Sequence, residues 1–459
     1  MSRHAIVVSG RAAAVAIGVA ACSSVHPVAP IAPATTCVIG GPRTVGGDTL
    51  SVATMASVDW SHAPEPTNAA ERLVFAQVYE TLIGVDCDGR PRPGLAASWT
   101  LDATRTRITL SLRNGARFSS GAVVTASGVL ASWQATSERS ASAARLAREV
   151  ANGTTVIDDH TLLVSLPDTG WLVLAEPALA IYVPHAAPRL PEGSGPYRLA
   201  EQSVAAPGAF VLTPAAANDP SLLIRRMPTG DPRDAIDAGV DVLVTDDPTA
   251  VGYAASRASL AAAPLPWTRT YALAMPNAAS RIGELLLRPD SESVVLRASL
   301  ARDAVHAEAR ATQSPLRTAD GAGCDLAVDS RPTAPAVNAR SNRVVYRRDD
   351  PTARGLAERL VALDSRSVAA GLAPNDFIRA LRDGGDVAYV LDVPGASLSP
   401  CDDRALLRAS APWLASAGGG ARLVPLIDTR ETAIVNRDRV SATVDWSGTV
   451  HFGSGGARP

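Results

Sequence analysis

The sequence contains no lysine. Its 43 basic residues are all arginine, against 45 acidic ones, for a formal net charge of −2. That balance leaves no general basic field, which excludes broad charge-driven attraction to nucleic acid. The all-arginine usage, beside abundant alanine, reads as a coding bias without mechanism. Aromatics are scarce at 4%, so the seven tryptophans stand out; most are expected as packing residues. Beyond the N-terminus there is no apolar run long enough to span a bilayer as a helix. The seven histidines show no His-x-x-x-His or Cys/His pairing, so no metal site is expected. A P-loop and a dinucleotide fingerprint are both missing. Gly193-Ser194-Gly195 lacks the spacing of a nucleophile elbow. The acid pairs Asp158-Asp159, Asp246-Asp247 and Asp402-Asp403 fall in predicted turns, where solvated carboxylates are the default. No enzyme and no cofactor are expected.

The N-terminus carries a targeting pattern. Arg3 and Arg11 give a positive n-region, Ala12 to Ala21 is a short apolar run, and Val19-Ala20-Ala21-Cys22 places small residues before a cysteine. Residues 1–21 therefore read as a secretory signal peptide. The cysteine resembles that of a bacterial lipobox, which makes Cys22 the lipidated first residue of the mature chain. Residues 22–45, rich in Pro, Ala, Ser and Thr, read as a tether. Cys37, Cys87, Cys324 and Cys401 remain. An even number in an exported chain favours disulfides, and four allow three connectivities.

Along the chain, Thr49 to Thr54 predicts a strand and Asn68 to Leu82 a helix. Arg107 to Arg113 alternates strictly, with Ile108, Leu110 and Leu112 on one face, and predicts a half-buried strand ended by the Asn114-Gly115 turn. Ser127 to Val150 predicts helix and Thr154 to Leu166 a hairpin. Val240 to Thr245, following a short helix, suggests an α/β unit. Val294 to Arg310 predicts helix. From Arg343 to Val393 the pattern predicts a β-α-α-β block, a second α/β lobe.

The order of these parts resembles the extracellular solute-binding proteins of family 5, the peptide, nickel and oligosaccharide receptors of ABC importers. The motifs that carry the resemblance are Tyr79-Glu80-Thr81-Leu82, Pro93-Gly94-Leu95-Ala96-Ala97-Ser98-Trp99 and Leu112-Arg113-Asn114-Gly115-Ala116-Arg117-Phe118, then the Gly193 to Tyr197 turn and Val424-Pro425-Leu426. It implies an α/β, two-lobed periplasmic-binding-protein-like fold (type II, cluster C-like) with mixed sheets and a hinge between lobes. The expected division is 46–265 for lobe 1, including an inserted subdomain at about 67–188, then 266–414 for lobe 2, and 415–459 returning to lobe 1. Crossovers are expected near Pro264 to Trp267 and near Trp413 to Arg422. Each of the pairs Cys37–Cys87 and Cys324–Cys401 would then stay within one lobe.

The resemblance also implies a monomeric, lipid-anchored receptor on the outer face of the cell membrane, with ABC permease subunits as partners. Its ligand would be a peptide or other small polar solute. A second reading keeps the fold without transport, as a regulatory or scaffold partner in cell-envelope glycolipid assembly. The chain departs from peptide-binding relatives after the strand near Asp386. There the family commonly places a Trp and then an Asp for the ligand's ammonium group; here Leu391-Asp392-Val393-Pro394-Gly395-Ala396-Ser397 has no Trp and a displaced acid. Ligands of two-lobed α/β folds meet strand ends and the loops after them. The binding candidates are accordingly Asp59, Trp60, Trp267, Arg269, Asp392 and Ser397.

Overall fold

The computed structural model describes residues 37–41, 49–139, 143–166, 170–184, 190–200, 208–227, 230–275, 281–288, 290–303, 308–313, 317–318, 343–383, 387–394, 396–398 and 422–453. Cys22, Cys324 and Cys401 lie outside them, as does the signal segment.

The Thr49–Thr54 strand sits in the middle of a seven-stranded sheet, parallel to Ser221–Arg226 on one side and Val242–Thr245 on the other. Its alternation explains the placement. Leu50 and Val52 pack on the helix Ala69–Val78, while Ala53 faces Ile236 and Ala250 on the opposite side. A strand covered on both faces belongs in a sheet interior. The helix begins where Asn68 accepts the Glu71 N–H, and buries Leu73, Val74, Phe75 and Val78. It ends at Val78, earlier than predicted.

Within this lobe, residues 96–165 form a four-stranded antiparallel sheet, ordered Ala96–Leu101, Arg107–Leu112, Thr161–Ser165, Thr154–Asp158. Ile108, Leu110 and Leu112 turn inward as the alternation predicts, and Trp133, on the helix Ala126–Glu138, shares their core. Gly115 turns the chain at φ +74°.

The second lobe is built on a six-stranded mixed sheet, ordered Glu308–Ala311, Arg422–Arg430, Arg269–Met275, Ala388–Pro394, Arg343–Arg347, Val368–Leu372. Helix Pro351–Val361 buries Leu356 and Leu360 on one face, and helix Pro374–Asp383 places Phe377 on the other. The fold is the two-lobed α/β architecture expected.

Among the described residues, the chain passes between the seven-stranded and the six-stranded sheet twice. Leu265–Thr268 links Leu260–Pro264 to Arg269–Met275. Much of the second crossover expected, Trp413 to Arg422, lies outside the described residues. Arg422–Arg430 still pairs with Arg269–Met275, and Thr432–Asn436 already pairs with Val242–Thr245, so the sheets change at Glu431.

The Cys37–Cys87 disulfide forms as expected. Other differences are local. Val38–Gly40, expected in the tether, pairs with Ser441–Thr443. The helix expected to reach Arg310 ends at Asp303, and Glu308–Ala311 is an edge strand. Val368–Leu372 adds a strand inside the predicted β-α-α-β block.

Candidate functional site

The parallel strands Thr49–Thr54 and Val242–Thr245 end at the same edge of the first sheet, where open α/β sheets place ligands. A cavity of about 570 Å³ opens there. Thr54–Ala56 and Thr245–Thr249 line it from those strand ends, and Ala69, Ala70, Arg72 and Leu73 from the start of a helix. Pro351 and Thr352 of the second lobe close the opposite side, with the hinge residue Glu431 between.

The charges follow from local structure. Asp247 accepts the Thr249 N–H at 2.7 Å and so caps the helix Pro248–Ala255. Its neighbour Asp246 is left to face the second lobe, 3.8 Å from the Arg269 guanidinium, whose Nε lies 3.8 Å from Asp392. Burial works against the Arg269 charge, but Tyr271, Glu431, Asp392 and Asp246 outweigh it and hold the pKa above its ordinary value. Burial pushes the Glu431 carboxyl up, with Arg269 and Arg72 acting the other way. Asp350 caps the second-lobe helix through the Ala353 N–H at 2.8 Å and accepts the Tyr271 hydroxyl at 3.0 Å. Burial raises its pKa too. The cleft is thus lined by Asp246, Asp247, Glu431 and Arg72, with Arg269 of the second lobe behind Asp246, and suits a polar solute that carries charge.

Of the sequence candidates, Arg269 and Asp392 meet each other and reach the cleft through Asp246. Trp60 packs inside the first lobe, 5.5 Å from the rings of Phe75 and Phe210. Asp59 caps the short turn Trp60–His62. The Trp267 ring lies between the Arg310 and Arg430 guanidinia, each 4.5 Å from its centroid. Ser397 lies in a two-residue ladder with Arg317–Thr318. None of the six is among the described residues lining the cavity.

Sequence reasoning missed Arg72, Asp246 and Glu431. Asp246 reads from sequence as a solvated turn acid; only its place after a buried parallel strand distinguishes it from Asp158 or Asp159. Arg72 carries no local signal, because a polar residue on a helix face is ordinarily solvated. Leu398 was missed too: it follows the departing loop of the second lobe and is buried in the core of the inserted sheet with Leu95 and Leu179.

Residues 90–211 match the family model described as "Bacterial extracellular solute-binding proteins, family 5 Middle", which bears out the resemblance to family 5 read from the motifs. Among solved structures, the chain is similar to NikA from Brucella suis in complex with Fe(III)-EDTA, at 15% identity and a TM-score of 0.58, covering 88% of this chain and 98% of that one. It is also similar to a dipeptide-binding protein from a Pseudoalteromonas species in complex with Met-Leu, at 12% identity and a TM-score of 0.58, with 88% and 99% covered. A third is the substrate-binding protein CtaP of Listeria monocytogenes, at 13% identity and a TM-score of 0.59, with 85% and 94% covered. These likenesses show the two-lobed fold. No curated protein matches the chain in sequence.

Proposed function

We propose that this chain is an exported, lipid-anchored receptor that encloses a peptide or other small polar solute between its lobes and delivers it to an ABC importer. The observation that carries this is the interlobe cleft, formed at the strand ends of one lobe, faced by the other and floored by a hinge residue. Solved proteins of the same fold are described as binding a dipeptide, Fe(III)-EDTA or Ni(L-His). Residues 1–21 act as the export signal, and Cys22 carries the acyl chains that hold a monomer at the outer membrane face. Lobe 1 takes residues 46–265, with an inserted subdomain at about 67–188, and regains the chain after Glu431. Lobe 2 takes the intervening part. Closure follows from tighter binding in the closed state.

A thermal-shift screen of the purified chain against peptides, sugars and metal ions tests this, with small-angle scattering on each hit. A ligand at a hundred times its Kd stabilises by about 2.7 kcal/mol, and compaction accompanies it. No shift across the library, together with no compaction, overturns the proposal.

One observation favours a second function, a non-transport partner in envelope assembly. Leu398 fastens the second lobe's departing loop into the core of the inserted sheet, which holds the lobes together without a ligand. Unchanged solute uptake in a deletion strain with altered envelope glycolipids supports that function; lost uptake removes it.

A further inference from the structure

The first lobe contains a second cavity, of about 430 Å³, between the helix Ala69–Val78, the hairpin Ile83–Pro93 and the closing strands Ser441–Val444 and Val450–Phe452. Every described residue that lines it lies outside the second lobe's sheet and helices. It meets the interlobe cleft at Arg72 and Thr449, which line both. Its body includes the aromatic side chains Phe75, Tyr79, Trp446 and Phe452. That combination suits a small ligand with a hydrophobic body.

The polar groups decide which head such a ligand carries. The acids around the cavity are already engaged. Glu80 accepts two N–H groups of Arg113, at 3.1 and 2.8 Å. Asp86 accepts the backbone N–H groups of Asp88 and Arg90. Asp445 accepts those of Ser447 and Thr449, and its second oxygen lies 2.8 Å from His451 Nε2. The basic donors are less fully engaged. Arg92 Nε is buried without a hydrogen bond among the described residues, 3.5 Å from the Asp86 carboxylate. The Arg72 guanidinium makes no hydrogen bond or close ion pair among the described residues. Glu176 and Glu431 act on it electrostatically, and burial raises the pKa of both carboxyls. A buried donor without an acceptor is costly, and an anionic oxygen is the strongest acceptor available to a guanidinium.

We propose that this second cavity is a further binding site, within one lobe, for an amphipathic organic acid. Its carboxylate is received by Arg92 with Arg72 alongside, and its apolar body lies against Phe75, Trp446 and Phe452. Because the walls belong to one lobe, the site fills without lobe closure.

The test is calorimetric titration of the full chain with 4-phenylbutyrate, its amide and 4-phenylbutylamine. The carboxylate binds, and the amide and amine bind at least about tenfold more weakly, as loss of a charge-assisted hydrogen bond requires. Arg92→Gln weakens phenylbutyrate by a similar factor, while Asp246→Ala, in the interlobe cleft, leaves it unaltered. Should Arg92→Gln not fold, Trp446→Ala serves in its place, since it removes an apolar wall. The proposal is overturned by no phenylbutyrate binding at millimolar concentration, by equal affinity for the three probes, or by binding that neither wall variant alters. Small-angle scattering separates the two sites: phenylbutyrate binding leaves the dimensions unchanged, and compaction on binding places the probe between the lobes and overturns the one-lobe site. The interlobe receptor stands or falls separately, on its own screen.

Discussion

The carboxylate of Glu176, in the inserted part of the first lobe, accepts the backbone N–H of Leu398, in the second lobe. Burial pushes the Glu176 carboxyl up to about 7 from an ordinary 4.5, with the Leu398 bond and Arg72 opposing. One hydrogen bond therefore links a titrating group to the contact between lobes. The folded state binds the proton more tightly than the unfolded chain between these two values. Glu176 thus contributes stability that is present below about pH 4.5 and is lost as pH rises toward 7. Each unit by which the folded and unfolded pKa values differ corresponds to about 1.4 kcal/mol. Glu176→Gln is expected to flatten the stability profile between pH 4.5 and 7, measured by urea unfolding across that range. A profile identical to wild type contradicts the assignment.

Arg269 sits between Asp246 of the first lobe and Asp392 of the second, 3.8 Å from each. The arginine is 38% exposed, Asp246 54% and Asp392 39%, so water and salt screen both pairs. Each is worth about 0.2–1 kcal/mol. Arg269→Ala is expected to shift the open–closed ratio by only a few-fold, and the shift is expected to shrink as ionic strength rises. Distance distributions between spin labels on the two lobes, taken at low and high salt, check this. A salt-independent shift would mean that packing, not charge, holds the lobes at this point.

The Cys37–Cys87 disulfide closes a loop across a sequence separation of 50 residues. Removing that constraint from the unfolded chain costs roughly 4 kcal/mol in the chain-entropy picture. Cys37→Ala together with Cys87→Ala is expected to lower unfolding stability by that order and to release the edge strand Val38–Gly40 from Ser441–Thr443. Hydrogen exchange at Val38 to Gly40, set beside denaturant unfolding, separates the local from the global effect. Full protection of that strand in the double variant would show that pairing alone holds it.

The first lobe was legible where local pattern and burial agree. Ile108, Leu110 and Leu112 alternate because one sheet face meets a core and the other water. Asn114-Gly115 turns because Gly115 needs positive φ. Val368–Leu372 was not legible. Its sequence, Val-Ala-Ala-Gly-Leu, carries one β-branched residue beside two alanines and a glycine, and pairing with Arg343–Arg347 supplies what propensity does not. The site was less legible than the fold. Arg72, Asp246 and Glu431 converge from segments far apart in sequence, and each is locally ordinary. Trp60 and Trp267 drew notice through rarity, yet one packs on Phe75 and Phe210 and the other between two arginines.

The arginine pair around Trp267 carries the last prediction. Asp428 is fully buried; it accepts the Thr270 hydroxyl at 2.8 Å and Arg310 Nε at 3.0 Å. Arg310 also covers one face of Trp267, just ahead of the strand that enters the second lobe. Arg310→Ala takes a charge-assisted donor from a buried carboxylate and is expected to cost about 1.5–3 kcal/mol. Asp428→Asn removes the charge along with its demand, so Arg310→Ala in that background is expected to cost clearly less. The difference between the two backgrounds, read from a double-mutant cycle in urea, isolates the pair from the stacking on Trp267. Equal costs in both backgrounds would mean that Arg310 acts through the indole ring and not through Asp428. The hinge-side end of the sheet would then be held by stacking alone, and Trp267→Ala would reproduce the whole effect.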